Sequence, residues 1–75
     1  MGHLGGLKPH RVVTAFRRLG WVVARQKGSH CILVKPGNPC NLSIPIHGHD
    51  VKPGLLRGAL AKAGISPEEF LEAYR

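Results

Sequence analysis

Residues 21–46 read WVVARQKGSHCILVKPGNPCNLSIPI, and this stretch decides the fold. Residues 21–26 (WVVARQ) are rich in strand formers. Lys27-Gly28-Ser29 then punctuates the chain as a turn. Residues 30–34 (HCILV) form a second β-forming run, and residues 35–40 (KPGNPC) are dense in turn residues. Residues 41–46 (NLSIPI) alternate, with Leu42, Ile44 and Ile46 on one side. Short connections between three short strands predict an antiparallel meander. Pro45 has no N–H for a ladder, so the third strand is expected at a sheet edge, or to stop pairing there.

Helical patterns flank this stretch. Over residues 9–19, Val12, Val13, Phe16 and Leu19 make an apolar stripe, with Arg11, Arg17 and Arg18 facing out. Pro9 suits the first helical position. Gly20 supplies a left-handed stop, after which Trp21 is placed to pack back on Phe16. Residues 53–63 repeat the design: Pro53 opens, Leu55, Leu56, Ala59, Leu60 and Ala63 form the apolar face, and Gly64 ends it. Ser66-Pro67-Glu68-Glu69 reads as a capping box launching a short last helix through Phe70, Leu71 and Tyr74. The expected architecture is α+β: α-β-β-β-α with a three-stranded antiparallel sheet, both main helices on one face, and a short extra C-terminal helix. Residues 1–6 are expected to be a flexible Gly-rich leader and residues 7–75 a single domain.

Seventy-five residues suffice for one domain, too small for a deep enclosed pocket. An open site on a polymer suits such a chain better. The net charge is +7 and lopsided. Residues 1–49 hold Lys8, Arg11, Arg17, Arg18, Arg25, Lys27 and Lys35 with no Asp or Glu, whereas basic and acidic residues balance over 50–75. A basic half beside a neutral half is the footprint of a polyanion binder. Cys31 and Cys40 are too few for a disulfide framework and lack CxxC spacing, which fits a reduced cytoplasmic chain; a single bridge across a hairpin stays open. No apolar run reaches transmembrane length, and MGHLGG lacks the apolar stretch of a signal peptide, so no membrane association is expected.

The catalytic inventory is thin. One Asp and three Glu, with Glu69 assigned to a cap, argue against a two-carboxylate metal nuclease. Cys31, Cys40, His47 and His49 lack the paired spacing of zinc ligands, so no metal and no cofactor are expected. His30 is the residue of interest. It follows Lys27-Gly28-Ser29, where Lys27, Arg25 and the Ser29 hydroxyl can hold a phosphate and Gly28 allows a foreign backbone to approach. An imidazole beside a held phosphate can move protons near neutral pH. RNA supplies its own nucleophile, the 2′-OH, so few protein groups are needed. Taken alone, a histidine at such a turn is more often merely exposed. His47 and His49, in IPIHGHD, are candidates for a second acid or base or for substrate contact, though such histidines are more often plain loop residues.

Three segments taken together resemble one family. They are Arg25-Gln26-Lys27-Gly28-Ser29-His30, then Ile44-Pro45-Ile46-His47-Gly48, then Lys52-Pro53-Gly54-Leu55-Leu56-Arg57 running on to Ala63-Gly64-Ile65-Ser66 and Glu69-Phe70. In this order they look like the HicA (YcfA-like) toxins of toxin–antitoxin systems, over residues 7–75. The resemblance implies a double-stranded-RNA-binding-domain-like fold. It also implies a metal-independent endoribonuclease that cuts mRNA, blocks translation and is neutralised by a HicB-type antitoxin. The family's catalytic histidine falls on His30, and the histidine of its P-x-H-G segment falls on His47. The chain departs from the family at Cys31 and at His49, where histidine and asparagine are common. The expected RNA contacts are Arg25, Lys27, Gly28, Ser29, His47, Lys35 and Arg11, with the basic first helix and the hairpin carrying most of the binding. The competing reading is an RNA-binding module of the same fold without turnover.

Overall fold

The computed structural model describes residues 4–75. The elements are α1 (Pro9–Arg18), β1 (Val22–Lys27), β2 (His30–Lys35), β3 (Asn38–Pro45), α2 (Pro53–Ala63) and α3 (Pro67–Tyr74). The α+β order is the one expected, and the sheet is an antiparallel meander with β2 in the centre.

Local chemistry explains the ends of each helix. All three start with proline at the first position, where a missing N–H is harmless. Ser66 Oγ accepts a hydrogen bond from the Glu69 N–H at 3.1 Å, the forward half of the capping box. At the end of α1, Gly20 takes φ 97°. Its N–H donates to the Arg17 carbonyl at 3.1 Å, and the Trp21 N–H donates to the Phe16 carbonyl at 3.0 Å. This is a Schellman closure, and its apolar contact is the edge-on pairing of Trp21 with Phe16 at 6.4 Å.

The sheet has two unlike faces. Along β2, Cys31 and Leu33 are buried while His30 is exposed. Their partners on β3, Ile44 and Leu42, are buried with them, because directly opposed residues share a face. Phe16, Leu56, Leu60 and Phe70 fill the space between sheet and helices. The opposite sheet face is open. Cys31 and Cys40 are both free thiols, so the hairpin bridge left open by the sequence is not formed.

Several expectations need correction. The turn after β2 takes only Pro36 and Gly37, and Asn38, Pro39 and Cys40 belong to β3. Pro39 is tolerated because β3 is an edge strand. Leu4 and Leu7 are both buried in the core, and residues 1–3 of the expected leader lie outside the described residues. Helix α3 is a structural member: Phe70 lies 4.9 Å from Phe16, ring centre to ring centre, and is fully buried. Leu55, assigned to the apolar face of α2, is instead exposed.

Candidate active site

The site is assembled by the β1–β2 hairpin. Its loop is two residues, Gly28 and Ser29, with Lys27 paired to His30. Gly28 has φ 61° and Ser29 does not have a positive φ, the signs of a type II′ turn, whose twist suits a tight hairpin. The Gln26 side chain donates to the Gly28 carbonyl at 3.2 Å and braces the turn. On the other side the Ser29 carbonyl accepts from the Ile46 N–H at 2.8 Å, so the turn is also stitched to the end of β3.

A β-bulge decides which side chains join His30. Val23 pairs with Leu33 and Arg25 with Ile32, leaving Ala24 as the extra residue. Without it Val23 and Arg25, two apart, would share a face. Leu33 is buried on the helix side, so Val23 goes with it, and Arg25 turns with Ile32 to the open side. Bulges beside functional sites re-aim side chains in this way. The open face therefore carries one row of Lys27, His30 and Pro45 and a second of Arg25, Ile32 and Ser43. Directly opposed residues hold their Cβ atoms about 4.5–5.5 Å apart, so Lys27 and His30 are immediate neighbours.

The electrostatics favour an anion. Among the described residues, Arg25 and Lys27 are exposed and form no ion pair. Among the described residues no carboxylate belongs to the strand rows around His30: Asp50 is engaged by Lys8 at 2.8 Å, and Glu68, Glu69 and Glu72 belong to α3. No protein group hydrogen-bonds the His30 imidazole among the described residues, so it is free to meet a substrate atom. A Cβ on Gly28 would meet nothing within 4 Å, which leaves open space above the turn for an approaching backbone. Among the described residues, no three His, Cys, Asp or Glu side chains converge as a metal site.

His47 lies in a bend just past β3. The bend is held by the Ile46–Ser29 hydrogen bond at one end and by the Val51 N–H on the Leu7 carbonyl, at 3.0 Å, at the other. His47 lines a depression of about 320 Å³ together with Pro45, His49, Asp50, Lys52 and Leu55. The sequence does not mark Asp50, Lys52 or Leu55 as site residues. The available signal was Leu55 itself, which stands off the stripe of Leu56, Ala59, Leu60 and Ala63 that spaces as i, i+3, i+4, i+7.

Two expected contacts are not brought to His30. Arg11 donates to the Tyr74 carbonyl at 3.1 Å and stacks over the Tyr74 ring at 4.3 Å. Arg18 likewise donates to the carbonyls of Ala73 and Arg75 at 2.8 and 3.0 Å. The last carbonyls of α3 lack partners within the helix, and cations satisfy them well. The basic face of α1 is thus largely spent on holding α3. Lys35 sits at the far end of β2, about 16 Å from His30 at strand spacing, with its Cε packed over Gly20. A larger depression of about 420 Å³, between Thr14, Arg17, Arg18, Trp21 and Val22, also lies at that far end.

Among the described residues no helix is long and apolar enough to cross a membrane. The comparison with curated proteins gives no match. The family model described as the HicA toxin of bacterial toxin-antitoxin systems matches residues 10–65. That span holds the hairpin, the bulge, His30, the His47 bend and α2, well over half of the chain, and the chain accordingly belongs to the HicA toxin family.

Proposed function

We propose that this toxin is a metal-independent endoribonuclease that cuts mRNA in the cytoplasm and is silenced by a HicB-type antitoxin covering the open sheet face. The observation that carries the reading is the row of Lys27 and His30 on that face, with Arg25 turned into place behind it by the bulge. A phosphodiester seated between Lys27, Arg25 and the Ser29 hydroxyl lies against the His30 imidazole. The RNA 2′-oxygen then attacks its own phosphorus and the 5′-oxygen leaves, giving a 2′,3′-cyclic phosphate. His30 takes the 2′-OH proton or protonates the leaving oxygen. Water or His47 completes the second transfer. Gly28 leaves room for the RNA backbone.

The alternative is an RNA-binding module without turnover, and one observation favours it: among the described residues no protein group hydrogen-bonds the His30 ring. The test is an end-labelled mRNA incubated with the protein in EDTA, beside the same RNA carrying one 2′-deoxy substitution at a cut site. Cutting everywhere except at the substituted site, with cyclic-phosphate ends, supports the ribonuclease. A shifted but intact RNA supports the module instead.

A further inference from the structure

The depression beside β3 has the composition of a nucleobase site and is continuous with the catalytic row. Pro45 belongs to both: it is the cross-strand partner of His30 and a wall of the depression. Leu55 supplies a second apolar wall. It is 39% exposed although α2 has a complete buried stripe without it. The imidazoles of His47 and His49 offer flat faces for stacking and ring nitrogens for hydrogen bonds. Lys52 adds a cation, and the carboxylate of Asp50 is offset against RNA by Lys8 at 2.8 Å. The volume, about 320 Å³, falls at the small end of ligand pockets, suited to one base rather than to a helix or a peptide strand. The larger depression near Trp21 lacks imidazoles and lies at the far end of β2 from His30.

We propose that this depression is the subsite for the single nucleobase next to the bond cut at His30, and that His47, His49 and Leu55 set base preference there. This rests on the ribonuclease reading for its substrate class. A base stacked on such a platform contributes roughly 5- to 100-fold in affinity.

The experiment uses four dinucleoside monophosphates, 2′-O-methylated on the first ribose to block cutting and differing only in the second base. They are titrated into the full chain and followed by NMR. Shifts at the Leu55 methyls and the His47 and His49 rings are expected, with affinities that differ among the four bases. Leu55→Ala should weaken binding roughly 5- to 10-fold, the effect of one or two aliphatic carbons lost from the contact, and flatten the preference. Val23→Ala, at an equally exposed valine (39%) on the other sheet face, should change neither. His49→Ala gives a second reading of the same subsite, with loss of discrimination expected. Unchanged affinity and preference in both Leu55→Ala and His49→Ala would overturn the proposal. Cleavage of the labelled mRNA separates the two readings. A parent that binds these probes at Leu55 but never cuts keeps the subsite and loses the ribonuclease. A parent that cuts with the same base preference as Leu55→Ala keeps the ribonuclease and loses the subsite.

Discussion

Replacing Gly28 by L-alanine and, in a chemically synthesised chain, by D-alanine should move stability in opposite directions. Gly28 sits at φ 61°, a conformation that costs an L-residue about 1–3 kcal/mol. Nothing lies within 4 Å of an added Cβ, so no steric contact adds to that strain. Any residue with a side chain also removes freedom from the unfolded chain, which returns about 0.4–1 kcal/mol. The net for L-alanine is a loss of about 1 kcal/mol, or ~4–8 °C in Tm for a domain of this length. D-alanine prefers the mirror-image backbone, so only the entropic gain remains, about 0.4–1 kcal/mol. Thermal and urea unfolding followed by circular dichroism read both changes. L-alanine as stable as the parent, or D-alanine less stable than L-alanine, would refute the turn geometry that places Lys27 opposite His30.

Other outcomes follow from the same structure. Lys27→Ala and Arg25→Ala should each lower the slope of log affinity for single-stranded RNA against log salt by about 0.7, measured by filter binding. Arg11→Ala and Lys35→Ala should leave that slope unchanged, and Arg11→Ala should lower stability through its lost Tyr74 contacts; equal slopes for all four variants would erase the distinction. Leu60→Ala removes a side chain that is 2% exposed and should cost about 2–5 kcal/mol, a large part of the roughly 4–11 kcal/mol typical of a domain this size; a urea midpoint equal to the parent's would contradict the core assignment. Burial raises the Cys31 thiol above its ordinary 9.0, against a smaller lowering by Arg17. The folded state thus holds that proton more tightly than the unfolded state. Its contribution to stability is full below pH 9.0 and is lost as pH rises through the raised value. A thiol reagent at neutral pH should accordingly label Cys40 well before Cys31, and equal rates would contradict the burial.

The fold was legible because its signals are local. Prolines at the helix starts, Gly20 and Gly64 at the ends, and the GS and PG pairs between strands each act within a few residues. His30 stands out as a candidate in the same way, from the residues beside it. What escaped was set by pairing across the chain. The bulge at Ala24 is a property of register between β1 and β2, and WVVARQK alone gives no sign that Arg25 changes face. Arg11, Arg17 and Arg18 read alike as outward cations, yet Arg11 and Arg18 are drawn to the end of α3 through contacts more than fifty residues apart in sequence. Composition overruled pattern at residues 35–40: a run of turn formers concealed three strand residues that an edge strand can accept. Leu4 was lost among glycines, although the Val51–Leu7 hydrogen bond and the Lys8–Asp50 pair tie the neighbouring segment to the domain.

The most direct test of the central claim is the cleavage rate of His30→Ala on a labelled mRNA in EDTA, with its unfolding curve recorded beside it. His30 is exposed at a hairpin mouth, so stability should stay within about 0.5 kcal/mol of the parent. Cleavage should fall by roughly 10²- to 10⁴-fold. A folded variant that cuts at the parent's rate would contradict the account.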